Sequence, residues 1–271
     1  MMNERSWRTR WSLAILALAV VALGGCPSPA IYGTARTIPA GQLQHTIAVE
    51  AVGVAASGGF FYPTLPTYAL RVGLGSRVDL GIRAGNLTSL GADLKLNLLR
   101  GFFDLSLDPG VQGSYVAAFG SSSGSSASAS LGILYLNFPL LFDFNFSPTV
   151  SLLLSPGIGY AAVVAGAYSS FSSSGSSTSV TATGVYGRFG LGMNFRVSQG
   201  FALNPEVTVM RGFETVNSGI VILFGVGLQF GAMPDTSDRG PLPFAAPPPP
   251  GAPPPGAAAY PPPPPLPPAT P

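Results

Sequence analysis

Apolar and polar residues alternate at period two through most of the chain between residues 43 and 231. In the last such segment, residues 219–230, the even positions carry Ile, Ile, Phe, Val, Leu and Phe, whereas the odd positions are smaller and less apolar on average. Successive side chains of a β-strand point to opposite faces, and Ile, Val and Phe favour strands. The pattern predicts ten strands, at residues 43–55, 67–74, 77–85, 90–98, 103–119, 131–144, 149–167, 184–197, 201–210 and 219–230.

The connections between these strands alternate in length. Short joins follow the second, fourth, sixth and eighth strands, whereas long joins rich in Ser or Gly follow the first, fifth and seventh, including Ser-rich loops at 120–130 and 169–179. Outer-membrane barrels have short turns on one side, longer loops on the other and an even number of strands. We therefore predict an all-β fold: a closed antiparallel up-and-down transmembrane β-barrel of about ten strands over residues 43–231.

Charged residues fall on the face opposite the apolar one. They are Glu50, Arg71, Asp79, Arg83, Asp93, Lys95, Asp104, Asp108, Arg188, Arg196 and Glu206. If the apolar face contacts lipid, these charges point into the lumen, where opposite signs can pair, and the sheet must close because lipid cannot satisfy an open edge. A soluble barrel would reverse the two faces and is the alternative. Placing the turn at Gly75 predicts Arg71 opposite Asp79, and the next connection predicts Arg83 opposite Asp93.

The first 25 residues read as an export signal. Three arginines precede an apolar stretch at residues 13–23 that is too short to span a membrane as a helix. The following Gly24-Gly25-Cys26 resembles the lipobox of bacterial lipoproteins, in which the signal is cut just before a Cys that is then diacylated. That resemblance implies an acyl (palmitate-type) anchor at Cys26, whereas an ordinary secretory cut would leave Cys26 a bystander. Residues 26–42 are predicted to form an irregular periplasmic linker.

The last predicted strand resembles the closing strand of bacterial outer-membrane β-barrels, which carries a Gly, alternating apolar residues and a terminal Phe. Gly225, Leu228 and Phe230 fit that pattern, whereas Leu223 replaces the usual upstream polar residue. The resemblance implies a place in the outer membrane of a diderm bacterium. The implied partners are outer-membrane lipid and, during insertion, the barrel-assembly machinery.

Composition excludes some functions and marks off the C-terminus. Only 9% of the 271 residues are charged, against about 25% in a typical soluble domain. The net charge of +2 forms no basic patch, which argues against a nucleic-acid partner. Most of the 28 prolines lie after Gly240, so residues 232–271 are predicted to be a disordered Pro/Ala-rich tail. The tail is either a spacer that contacts the cell wall or an envelope protein, or a solvated segment without a partner.

Catalytic chemistry is sparse in this sequence. The one histidine, His45, starts the first strand in the lipid-facing phase, and the many loop serines lack a base. No Cys/His cluster offers metal ligands, and we predict no cofactor.

The number of strands bears on whether the lumen is open. Eight strands give a barrel filled by side chains and sixteen give an aqueous channel, so ten lies near the filled end. The leading hypothesis is a non-enzymatic outer-membrane β-barrel lipoprotein with a structural or surface-interaction role, displaying Ser-rich loops outside. The second is a narrow passive pore for small polar solutes, and the third is an outer-membrane enzyme.

Overall fold

A computed structural model describes residues 28, 30–55, 60–85, 88–122, 125–171, 174–213 and 220–236. The predicted export signal, Cys26 and residues 237–271 of the predicted tail lie outside these residues. No helix in the described part of the chain combines the length and apolar character needed to cross a membrane.

Twelve strand segments run in chain order. They are β1 (Leu43–Ala55), β2 (Phe60–Pro63), β3 (Thr67–Gly73), β4 (Val78–Gly85), β5 (Ser89–Leu99), β6 (Phe103–Leu107), β7 (Gly110–Ser122), β8 (Ser125–Asn145), β9 (Val150–Phe171), β10 (Ser174–Ser198), β11 (Phe201–Gly212) and β12 (Ile220–Gly231). Neighbouring strands of the barrel wall pair antiparallel, and β12 pairs with β1 over twelve residues, which closes the sheet.

Ten strands make up the wall of this barrel. β6 and β7 are consecutive parts of one strand, because both pair with β5 and β8 and Pro109 separates them. Proline interrupts the ladder there because it has no backbone N–H to donate. β2 pairs with residues 51–54 of β1, on the edge that pairs with β3 at residues 43–48, so β2 and β3 are likewise consecutive parts of one wall strand. The predicted closed antiparallel barrel of about ten strands is confirmed.

The side-chain alternation also matches the lipid-facing prediction. Outward residues such as Val49, Ile82 and Phe224 are about half exposed, whereas inward residues such as Asp79 and Glu206 are buried. A closed barrel whose outer face is apolar to this extent is suited to contact with the hydrocarbon interior of a membrane. The reversed, soluble-barrel arrangement is excluded by this orientation of the two faces.

The prediction of long Ser-rich loops is wrong. β7 reaches Ser122 and β8 starts at Ser125, while β9 ends at Phe171 and β10 starts at Ser174. Strand propensity depends strongly on context. Here the Ser/Ala/Thr segments of β8 and β9 each pair with neighbours on both sides, so the ladder extends through residues of low intrinsic preference.

Two predicted cross-strand neighbours are also wrong in register. Arg71 lies opposite Gly81, and Asp79 lies opposite Gly73. The turn occupies residues 74–77, where the Leu74 N–H donates to the Val78 carbonyl at 2.8 Å, so it centres one residue later than Gly75. Across the next connection Gly81, not Arg83, faces Asp93.

The barrel has two distinct ends. At the turn end, the joins after β3, β5, β8 and β10 are only two to four residues long, as predicted. At the opposite loop end, β8, β9 and β10 continue far beyond the shorter β3 to β6, since they contain 21, 22 and 25 residues. A transmembrane strand needs about 9–11 residues, so these three strands are long enough to project past the bilayer.

Candidate functional site

A stretch of irregular chain lies inside the barrel at its turn end. In residues 30–38, hereafter the plug, Tyr32 is 4% exposed, Ala35 0% and Arg36 1%. The sequence predicted residues 26–42 as a linker outside the barrel, and the plug corrects that placement. The plug forms no ladder with the wall, so its buried backbone groups must find other partners.

Carboxylates on the inner wall accept the backbone N–H groups of the plug. Glu206 accepts from Ile31 at 3.1 Å and from Tyr32 at 2.7 Å. Asp79 accepts from Ile38 at 3.1 Å. A further carboxylate that the sequence analysis did not single out, Asp143, accepts from Ala35 at 2.8 Å. The acidic residues of the lumen therefore act as caps for a segment without secondary structure.

Cationic and amide groups of the wall donate to the plug carbonyls. Arg83 Nη1 donates to Ala30 at 2.8 Å, and Lys95 Nζ donates to Thr34 at 2.6 Å. Side-chain amides do the same: Gln229 donates to the Tyr32 carbonyl at 3.0 Å and Asn97 to the Ala35 carbonyl at 3.2 Å. Hydrogen bonds that involve a charged partner are about twice as strong as neutral ones. The plug is thus held along its length by both signs of charge.

One ion pair fixes the middle of the plug. Arg36 Nε and Nη2 donate to the two carboxylate oxygens of Asp104 at 2.6 and 3.1 Å, and both side chains are 1% exposed or less. Asp104 also accepts from the Asn145 amide at 2.7 Å and from the Gly101 N–H at 2.9 Å. This bidentate geometry satisfies both oxygens of a carboxylate that is buried away from water. We call the Arg36–Asp104 pair the latch.

A second ionic cluster lies on the wall itself. Asp93 pairs with Arg71 and, at 3.2 Å, with Arg83, while Asp108 lies 3.7 Å from Arg71. Gly81 stands between Arg71 and Asp93 on adjacent strands, and because it has no side chain the two charged groups can meet across it. The predicted Arg83–Asp93 interaction therefore forms, but diagonally.

The remaining predicted inward charges lie at other levels of the lumen. Arg188 lies 3.8 Å from Glu206 and donates to Ser155 Oγ at 3.1 Å. Glu50 is buried and accepts from Thr67 Oγ1 at 3.4 Å.

The segment after β12 turns back onto the turn end. Arg196 binds the Pro234 carbonyl and Thr236, and Met233 is buried. The Gln44 amide donates to the Ala232 carbonyl at 2.9 Å. Residues 232–236 were predicted as the start of a disordered tail, so this first part is corrected to a packed segment.

The predicted barrel-closing residues have separate roles in the structure. Gly225 and Gly227 face inward, and the Tyr32 ring of the plug occupies the space that a side chain at either position would need. Leu228 and Phe230 face outward, where the Phe230 ring lies 5.1 Å from that of Phe201.

Tyr32 has an uncommon backbone conformation and a raised pKa. Its φ of 45° places it in the left-handed region, which a bulky residue seldom adopts. Burial, followed by the nearby negative charges of Glu50 and Glu206, raises the pKa of the phenol above its ordinary value. The Tyr32 side chain fills the space beside Gly225 and Gly227.

An apolar layer separates the plug from the loop end. It is formed by Val52, Tyr186, Met210 and Leu223, all of which are buried and face inward. Above this layer the inward positions of β9 and β10 carry Ala161, Val163, Ala182 and Gly184. The lumen therefore changes along its axis from ionic at the turn end to apolar at the loop end.

Sequence analysis missed several residues of this site. Asp143 alternates in phase with Leu141 and Asn145 on a strand that reads as apolar on both faces, and its inward phase was the available signal. Arg36, in the plug, had no periodic pattern to place it. Its partner, Asp104, is 68 residues away in the chain, which only the fold brings close.

The one histidine of the chain lies apart from the acidic residues of the lumen. The described residues contain no group of three or more His, Cys, Asp or Glu arranged to hold a metal ion. His45 Nδ1 lies 2.7 Å from the Tyr68 hydroxyl on the outer surface, away from the lumen. The polar groups of the lumen instead bind the protein's own chain.

The barrel has counterparts among solved structures. Ail, the attachment invasion locus protein of Yersinia pestis, is 13% identical, with 70% of this chain and 99% of that chain covered and a TM-score of 0.33. The outer membrane protease OmpT of Escherichia coli is 8% identical, with 72% and 98% covered and a TM-score of 0.44. Neisserial surface protein A is 10% identical, with 69% and 96% covered and a TM-score of 0.35. No protein-family model and no curated protein matches the chain. The likeness concerns the barrel fold alone.

Proposed function

We propose that this protein is a non-conducting, non-enzymatic outer-membrane β-barrel lipoprotein with a structural or surface-interaction role. The observation that carries the proposal is the plug, whose nine residues lie in the lumen with their backbone bound by wall carboxylates and cations. A solute would have to displace these buried, charge-assisted contacts to pass. The long β8, β9 and β10 supply the surface for the interaction at the loop end.

The narrow pore was the main competing hypothesis, and its test is electrical. Purified full-length protein in planar bilayers is expected to give no reproducible conductance, while a general porin in the same bilayers gives steps. A variant without residues 30–38, first shown by heat-modifiable gel migration to keep its barrel, is expected to conduct or to flicker. Reproducible channels from the unaltered protein would overturn the proposal.

We also propose which end faces outward. The loop end faces the cell exterior and the turn end faces the periplasm, because long strands and loops are typical of the outer side. Thr178 and Thr149 are both exposed and lie at the loop and turn ends respectively. With Cys26 replaced, a Thr178→Cys protein should react with an impermeant maleimide on intact cells. The matched Thr149→Cys protein should react only after the envelope is opened, and the reverse pattern would contradict this orientation.

The acyl anchor at Cys26 belongs to the same proposal. The plug begins at Ala30, four residues after Cys26, and ends at Ile38, beside Asp79 at the turn end. Metabolic labelling with a fatty acid is expected to mark the unaltered protein and not Cys26→Ala. Equal label in both would reject the anchor.

A further inference from the structure

The loop end of the barrel contains a cavity that is separate from the plugged site. Its volume is about 250 Å³, and its lining includes Tyr135, Val163, Tyr186, Met210 and Val221. It lies where β10 continues beyond the end of its pairing with β11, since Tyr186 faces Gly212 at the last paired position. The cavity thus lies on the loop-end side of the apolar layer and rests on it.

We propose that this cavity binds a small, uncharged aromatic molecule. Size supports that class, because an apolar cavity of about 150 Å³ in an engineered protein suffices for benzene. Chemistry supports it as well: the lining described here is Ala, Val, Gly, Met and Tyr, with Thr183 and Arg211 the polar members. Both polar residues are on the outward-facing phase of their strands, not on the inner wall.

The floor has the geometry for an aromatic guest. The rings of Tyr135 and Tyr186, both in the cavity lining, have their centroids 5.7 Å apart at 89°, the edge-to-face arrangement that aromatic side chains prefer. The Tyr186 hydroxyl donates to Asn137 Oδ1 at 2.5 Å, so its hydrogen-bonding capacity is used within the wall. Met210 completes the floor with a flexible thioether, which adapts to aromatic surfaces.

The cavity is a binding site and not part of a continuous channel through the barrel. Val52 and Leu223 continue the floor across the lumen, and the plug fills the barrel below them. This inference does not depend on the surface-interaction role, because a ligand site at the loop end is compatible with a silent or a conducting barrel.

Methionine methyl resonances provide the test, with built-in controls. Met210 lies in the floor of the cavity, Met193 is on the lipid-facing phase, and Met233 is buried at the turn end. The full-length protein, labelled with ¹³C-methyl methionine in lipid nanodiscs, is titrated with naphthalene. We expect a saturable shift of the Met210 signal, a linear non-saturating drift for Met193 and no change for Met233.

A pair of substitutions and a polar ligand test whether the Met210 shift reports binding in the cavity. Ala161→Phe fills the cavity and should abolish the saturable shift, whereas Ala162→Phe, one residue away on the outer face, should preserve it. Glucose, which is polar, should leave Met210 unchanged. A Met210 shift that drifts linearly like that of Met193, one that survives Ala161→Phe, or a saturable response to glucose would overturn the proposal.

Discussion

The latch should control how often the plug leaves the lumen. Changing Asp104 to Asn keeps the size of the side chain but removes the negative charge that pairs with the Arg36 guanidinium, at a position where both groups are 1% exposed or less. Removing one partner of a buried ion pair costs about 3–5 kcal/mol. Because Arg36 belongs to the plug and Asp104 to the wall, the loss of this ion pair weakens plug docking, while the contacts of residue 104 with Asn145 and Gly101 lie within the wall.

The measurement is thiol labelling of the plug. Thr34 is buried in the plug, so a Thr34→Cys protein in a Cys26→Ala background reacts with maleimide only when the plug opens. If closing is fast relative to labelling, the rate follows the opening equilibrium. A loss of about 3–5 kcal/mol then corresponds to labelling that is roughly 10²- to 10⁴-fold faster.

A matched control separates docking from general damage. Asp108 is also a buried aspartate of the lumen, but it pairs with Arg71 on the wall. Asp108→Asn should leave the labelling rate of Thr34→Cys within a few-fold of its parent. If Asp104→Asn labels no faster than the parent, or if Asp108→Asn accelerates labelling equally, the latch does not hold the plug.

Two further predictions concern the wall. Gly81→Val should lower the free energy of unfolding in urea by about 1–3 kcal/mol, because a Cβ there would lie 2.5 Å from Asp93 Oδ1. The control, Gly120→Val, places its side chain in open space and should change the free energy of unfolding by less than about 0.5 kcal/mol. Equal effects of the two substitutions would contradict the role of Gly81. Ile82→Arg places a charge on the lipid-facing surface and should destabilise the barrel in phospholipid vesicles by up to about 2–4 kcal/mol. An unchanged unfolding midpoint in vesicles would show that this face does not meet hydrocarbon.

The barrel wall could be predicted from sequence because the physical constraint on it is local. Each strand must present apolar side chains on one face, and that period-two pattern is visible without knowing the partner strands. The predicted first strand has the same bounds as β1, and the predicted tenth strand begins and ends one residue before β12. Register is less local: it depends on where the turn centres, so placing it at Gly75 misplaced the Arg71 and Asp79 pairing by two residues.

Two other parts of the fold left no local trace. The Ser-rich segments are paired because their neighbours are in place, and serine or alanine alone carries little preference for a strand. The plug has no periodicity at all, and its contacts are long-range: Tyr32 and Glu206, which share a hydrogen bond, are 174 residues apart. The sequence correctly predicted that these charged side chains face the lumen. It did not predict that several of them bind the backbone of the plug, which was predicted to be a periplasmic linker.

The inward glycines show why strand number alone could not decide between a pore and a filled barrel. Read from sequence, Gly73, Gly225 and Gly227 remove bulk from the lumen and would favour a passage. In the structure a side chain at Gly73 would collide with the Pro39 backbone, and Gly225 and Gly227 lie against Tyr32. The segment that precedes β1 therefore occupies the space that these glycines leave in the lumen. A narrow barrel with small inward residues is consistent with either outcome. The feature that favours an internal segment is the inward carboxylates opposite those glycines, Glu50 and Glu206 beside Gly225 and Asp79 beside Gly73, because buried carboxylates need donors.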